Sequence, residues 1–194
     1  MIESRLKLKK YLLTEKKLYQ VAENKLPRVL DLFKGEWRAY RWRFIKHLRK
    51  AEYFHFKRKR NPFYYLCYIW HIRRKNSIGR KLGMDLKENV FEEGLVIHHT
   101  VGIVVNSQAK VGRNCILHGG NIIGNMGENT GSPVIGNNVR LGAGAKVLGD
   151  IYIADGVQIG AGALVIHSCN EEGALLVGVP AVKKRRKIQG IRER

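Results

Sequence analysis

The sequence predicts a mainly β protein, a coil of stacked short parallel strands with an α-helical region in front of it. Two observations carry that expectation. An aliphatic residue recurs at nearly every sixth position from Val105 to Val165, and strongly basic, aromatic-studded stretches with helical spacing precede the repeat. A period of six fits neither the 3.6 of a helix nor the simple alternation of a flat sheet, so it is read as a repeat.

The helical elements come first. Residues 4–24 place Leu6, Leu13, Leu18 and Val21 among Lys and Glu, with Asn24 and Pro27 ending the run. A second helix is expected over residues 31–50, where Trp37, Tyr40, Phe44 and Leu48 form one stripe. Asn61-Pro62 opens a third, with Asn as cap and Pro at the first helical position. Its apolar side is Phe63, Leu66, Cys67 and Trp70, and the cluster Arg73-Arg74-Lys75 suits its C-terminus. Aromatic stripes of this kind serve as core or subunit contact, although basic helices rich in Trp and Tyr also suit an anionic membrane surface.

The repeat comes next. Its aliphatics are Val105, Val111, Leu117 and Ile123, then Ile135, Leu141, Val147, Ile153, Ile159 and Val165. Four positions after each stands a small or β-branched residue in nearly every case: Ala109, Cys115, Val139, Ala145, Ile151, Val157, Ala163 and Cys169. Each unit reads as a short strand with two inward side chains and a tight turn, and three units close a triangular coil of about eighteen residues. The repeat breaks twice. Phe91, Leu95, Ile97, Val101 and Ile103 follow an earlier register, slipped by two residues at His98-His99. Gly124 to Pro133 lack an inward aliphatic, so residues 124–134 read as an extruded loop.

The expected organisation is a basic α-helical domain over residues 1–83, a β-helical domain over 84–182, and a basic tail over 183–194. The net charge of +20 is uneven: residues 1–89 hold 25 Lys and Arg against 8 Asp and Glu, whereas residues 90–182 hold 4 against 7. Such a basic surface attracts phosphates or anionic lipid, but no nucleic-acid-binding motif is present. Three cysteines without paired spacing suggest neither a disulfide framework nor a metal site. The longest apolar run, Phe63 to Trp70, is too short to span a bilayer, and Met-Ile-Glu-Ser-Arg-Leu-Lys lacks an apolar signal region. A cytoplasmic location, peripheral to the inner membrane face at most, is the expectation.

The hexad pattern resembles the hexapeptide-repeat acyltransferases, whose fold is a left-handed parallel β-helix. Within them, Ile97-His98-His99-Thr100-Val101-Gly102-Ile103-Val104-Val105 is similar to the serine acetyltransferase branch, where an Asp-His-x-x-Gly-Ile-Val-Val run carries the catalytic histidine. The resemblance implies His99 as general base, a role an imidazole fills near neutral pH. It also implies an orienting aspartate one strand upstream, for which Asp85 is the one candidate, shifted by one residue. His118, one coil plus one residue later, is expected to stack beneath His99 and is the alternative base. His98, Asn121 and Ser132 are the candidate acceptor contacts.

Acetyl-CoA is the implied cofactor, lying between two prisms of a trimer. The segments 141–146 and 159–163 match the family's groove, so Gly124, Ala143, Gly144 and Ala161 are candidate cofactor contacts. Beyond Gly-Val-Pro-Ala at 178–181, Lys183 and Lys184 are placed to meet the CoA phosphates. The N-terminal helices are expected to join trimers or to dock a membrane.

Two departures bear on the acceptor. Where the branch has an aspartate before the catalytic histidine this chain has His98, and where its loop has Arg-His this chain has Gly131-Ser132. The amino-acid contacts are therefore missing or rebuilt. The first expectation is a sugar hydroxyl of a surface or capsular polysaccharide, because the whole chain is also similar to serine-acetyltransferase-like proteins of bacterial surface-polysaccharide clusters. Serine is the second expectation, and a non-catalytic basic scaffold the third.

Overall fold

A computed structural model describes residues 1–20, 30–31, 33–127 and 131–184. Three helices precede the strands: α1 (Arg5–Leu18), α2 (Trp37–Lys57) and α3 (Pro62–Leu82). Ser4 caps α1, its hydroxyl accepting from the Lys7 amide, and the helix stops at Tyr19. The expected end at Asn24 and Pro27 lies outside the described residues.

Helix α2 runs further than the aromatic stripe suggested. Phe44 and Leu48 are buried, but Trp37 at its first turn is 58% exposed. Asn61 caps α3 as expected, accepting from Tyr64, yet the helix continues through Arg73-Arg74-Lys75 to a left-handed cap at Gly83. Lys75 is buried in mid-helix because its ammonium donates to the Leu86 carbonyl and pairs with Glu88. The residues α3 buries are His71, Lys75, Gly79 and Leu82. Its expected apolar side points out instead, with Phe63, Leu66 and Trp70 more than half exposed. None of the helices is long and apolar enough to cross a membrane among the described residues.

The repeat folds into a three-sided prism. Sheet I stacks β1 (Met84–Leu86), β3 (Ile103–Val105), β6 (Ile122–Gly124), β9 (Lys146–Leu148) and β12 (Leu164–Val165). Sheet II stacks β4 (Lys110–Val111), β7 (Val134–Ile135) and β10 (Tyr152–Ile153). Sheet III stacks β2 (Val96–Ile97), β5 (Ile116–Leu117), β8 (Arg140–Leu141), β11 (Gln158–Ile159), β13 (Leu175–Gly178) and β14 (Ala181–Lys184). All pairings are parallel except the last, where β14 turns back antiparallel on β13. All ten aliphatics of the repeat are at most 3% exposed, so the hexad period is the buried column. Val101 departs from the earlier register: it lies in a turn and is 74% exposed.

The first coil has no coil above it, which leaves strand amides and carbonyls unpaired. The helices supply side chains instead. The buried Arg49 guanidinium pairs with Glu15 and Glu52 and donates to the Phe91 and Glu92 carbonyls. The Ile97 amide donates to the Tyr19 hydroxyl at 2.9 Å. The helical region is thus a polar lid fastened to the top coil, and Phe44, Leu48 and Leu82 join the same apolar core as the prism.

Candidate active site

The chain passes from sheet III to sheet I at one edge of the prism, and the sequence-predicted histidines collect there. In the coils below, six residues carry the chain from the inward residue of one strand to that of the next, as from Leu117 to Ile123. The first coil takes eight, from Ile97 to Val105, although Leu117 and Val105 are register partners of Ile97 and Ile123. The two-residue slip is a longer corner, and it pushes His98 and His99 into solvent.

Because Ile97 pairs with Leu117, the next residues in register are His98 and His118. Their rings stack with centroids 4.7 Å apart, so His118 lies against His98 rather than beneath His99 as the spacing suggested. Burial, followed by the neighbouring charges of His118 and Arg41, pushes the His98 imidazole below its ordinary range. His99 rests on Gly119, where the backbone has φ +108° and an added Cβ would meet the His99 Cβ at 2.9 Å. Only glycine leaves the histidine undisturbed there.

Asn121 is fully buried, and its polar atoms are spent inside the corner. Its carbonyl oxygen accepts from the Gly119 amide, and its amide nitrogen donates to the Gly142 carbonyl. It therefore positions the turn under His99 instead of contacting an acceptor, as its sequence position had suggested.

The expected Asp85–His99 pair is not formed. Asp85 is exposed on β1, and its carboxylate accepts from Lys87 at 2.9 Å. Ala143, Gly144 and Ala161 lie on the histidine edge one and two coils lower, exposed or half-exposed. Gly124 and Ser132 do not join them. Gly124 ends β6, and Ser132 stands before β7 at the edge between sheets I and II, with a buried hydroxyl that has no partner among the described residues. Lys183, expected at a CoA phosphate, pairs with Glu171, while Lys184 is exposed at the end of β14. Residues 185–194 and 128–130 of the tail and loop lie outside the described residues.

Beside the histidines is a cavity of about 370 Å³ lined by Trp37, Arg41, His98, His99, Thr100 and Val101. The two residues from α2 went unrecognised in the sequence. Their signal was present: Trp37 and Arg41 stand four apart on one helix face, and no acidic residue lies within a turn on either side of Arg41. Among the described residues no cluster of His, Cys, Asp or Glu is arranged to hold a metal. Cys115 is inside the prism, where burial pushes its thiol up to about 12, which removes it as a nucleophile.

Residues 132–167 match the family described as bacterial transferase hexapeptide (six repeats). The chain is 34% identical over 129 residues to a serine acetyltransferase of Helicobacter pylori, a match covering 61% of this chain and 75% of that protein. It is 40% identical over 90 residues to a serine acetyltransferase of Synechococcus elongatus, covering 45% of this chain but 36% of the relative's length. Among solved structures, the serine acetyltransferase of Brucella abortus superposes with a TM-score of 0.65 at 27% identity, over 90% of this chain and 67% of that one. Soybean serine acetyltransferase shares the fold, with a TM-score of 0.66 at 24% identity over 92% of this chain and 69% of that one. The chain belongs to the serine acetyltransferase family of left-handed parallel β-helix, hexapeptide-repeat proteins.

Proposed function

We propose that this chain transfers an acetyl group from acetyl-CoA to the hydroxyl of serine, with His99 as general base. The observation that carries the reading is the exposed His99 on the lengthened corner, held over Gly119 above a column of small residues at one prism edge. The acceptor hydroxyl attacks the thioester carbonyl as His99 takes its proton; the C–S bond then breaks and the proton passes to the departing thiolate. Transfer is direct, because the groups around His99 include a base but no activated nucleophile, and Cys115 is sealed in the core. A backbone N–H of the groove would stabilise the oxyanion, an effect typically of ~3 kcal/mol.

Acetyl-CoA is proposed to lie along Ala143, Gly144 and Ala161. The groove is proposed to close only in a homotrimer, since Ser132 and the loop stand on another edge of the same prism and reach a histidine edge only from a second copy. The sugar acceptor expected first gives way to serine. Both relatives and both solved structures named above are serine acetyltransferases, and the 370 Å³ cavity is near the small end of ligand pockets, which run roughly 300–1,000 Å³.

Thiol release from acetyl-CoA with L-serine, N-acetylhexosamines and nucleotide sugars as acceptors tests the reading. Turnover with L-serine, abolished by His99→Ala, is expected. Turnover with sugars alone would overturn it.

A further inference from the structure

At the positions where the resemblance implies amino-acid contacts this chain has His98 and Gly131-Ser132 and no arginine, so an acceptor carboxylate needs another partner. Arg41 has the features of one. It lies on α2, one turn after Trp37, and faces the corner that carries His98 and His99 across the shared cavity. Its Nε is buried with no hydrogen-bond partner among the described residues. Its neighbour Arg38 has a carboxylate, Asp31, at 3.5 Å; no such pair forms at Arg41 among the described residues. Nothing acidic stands in the first turn of α2 to balance the charge locally.

A half-buried guanidinium loses hydration and, without a compensating anion, is costly to keep. Burial accordingly pushes the Arg41 guanidinium down from its ordinary value, although arginine stays charged throughout the physiological range. Elsewhere in this chain the buried arginine, Arg49, is matched by two carboxylates and two carbonyls. At Arg41 no compensating carboxylate stands among the described residues, and beside it is a cavity with His98 and His99 on its wall. Guanidinium presents its donors as a planar fork matched to a carboxylate.

We infer that Arg41 binds the carboxylate of the amino-acid acceptor and so sets the specificity of the site, with the helical lid supplying the contact that the loop residues Gly131-Ser132 do not. This inference rests on the serine-acetylating reading. Trp37, from the same helix face, forms the apolar wall of the pocket, and His99 takes the hydroxyl proton. Acceptor recognition is thereby divided between two parts of the chain: the base comes from the prism and the anion contact from the lid.

The test compares L-serine with L-serinamide, which keeps the hydroxyl and amine but has no carboxylate. The wild type is expected to show a KM for L-serine about tenfold or more below that for serinamide. Arg41→Gln is expected to raise the L-serine KM by about the same factor and to leave the serinamide KM unchanged. Its kcat and its KM for acetyl-CoA should stay at wild-type values, its melting temperature should not fall, and Arg41→Lys should give an intermediate L-serine KM, keeping charge without the fork. Equal use of both acceptors by the wild type, or an equal KM rise for both in Arg41→Gln, overturns the inference while leaving acetyl transfer intact.

If the wild type releases no thiol with either acceptor, it is the serine-acetylating reading that fails. Calorimetric titration of L-serine and serinamide into wild type and Arg41→Gln then decides the inference by itself. Saturable binding of L-serine alone, lost in Arg41→Gln, upholds it; no carboxylate-dependent binding overturns it.

Discussion

The uppermost coil and the coils beneath it share one prism edge and use it differently. Below, the edge carries Gly142–Ala145 and Gly160–Ala163, small residues that let one turn rest directly on the next. Above, the same edge carries His98–Gly102, two residues longer and projecting into solvent. A coil with neighbours on both sides has to match them, which enforces a fixed length and favours small turn residues, His118 against His98 being the exception. The end coil has a neighbour on one side only. Its free side is covered by the helical lid, and there the repeat tolerates bulky, titratable groups. The chemistry proposed for this chain sits where the stacking constraint is relaxed.

The largest effect should come from the proposed base. His99→Ala is expected to lower kcat about 10²–10⁴-fold in the thiol-release assay, with the melting temperature unchanged because the side chain is exposed. A loss from His118→Ala as large as that from His99→Ala would move the base one coil down and break the contrast. Next comes the fastening of the lid. Arg49→Met removes the guanidinium but leaves the Glu15 and Glu52 carboxylates buried, at a cost of about 3–5 kcal/mol in urea unfolding. Leu141→Ala, in the aliphatic column of the stacked coils, should cost a similar ~2–5 kcal/mol by a different route, a cavity. An Arg49→Met cost under about 1 kcal/mol would show that the lid is held by its apolar contacts alone.

A glycine pair sharpens the comparison further. Gly119→Ala drives a Cβ into His99, so it should lower kcat about tenfold or more in addition to a strain cost of about 1–3 kcal/mol. Gly162→Ala lies lower on the same edge at φ +68° with no atom within 4 Å of its Cβ, and should cost only ~1 kcal/mol and leave kcat alone.

A further effect concerns pH and the lid. His47 and His71 are buried with their Nδ1 atoms 3.0 Å apart. Burial, and then Lys46, Lys50 and other cations nearby, hold His47 at about 4; burial, His47 and the same lysines hold His71 at about 4. Folded rings stay neutral while unfolded ones gain protons below about pH 6.5. Their contribution to stability is therefore complete above about pH 6.5 and is lost as pH falls toward 4. Melting curves of wild type should drop over that window more steeply than those of the double variant His47→Leu, His71→Phe.

The prism was legible because its rule is local and repeated: every sixth aliphatic is buried, and register follows from the period. The histidine corner was legible as a break in that rule. Partners across the fold were not legible, because they depend on which helix face meets the top coil. Spacing put His118 under His99, but strand register puts it under His98. Asn121 stands in the sequence like an acceptor ligand, yet its amide is consumed by Gly119 and Gly142. Arg41 and Trp37 belong to a helix that the repeat says nothing about. The outward face of α3 was misjudged for a related reason, since a polar pairing, Lys75 with Glu88, decides which side packs.

The two ends of the prism have a consequence for assembly. A coil that stacks on its own copy has no intrinsic stopping point; unlidded, its first and last turns are complementary surfaces. The Tyr19 and Arg49 contacts at one end and the reversed strand β14 at the other act as terminators of different kinds, side chain in one case and backbone in the other. Removing one would still leave the other end capped; removing both would leave the two complementary surfaces free on one molecule, the condition for end-to-end stacking.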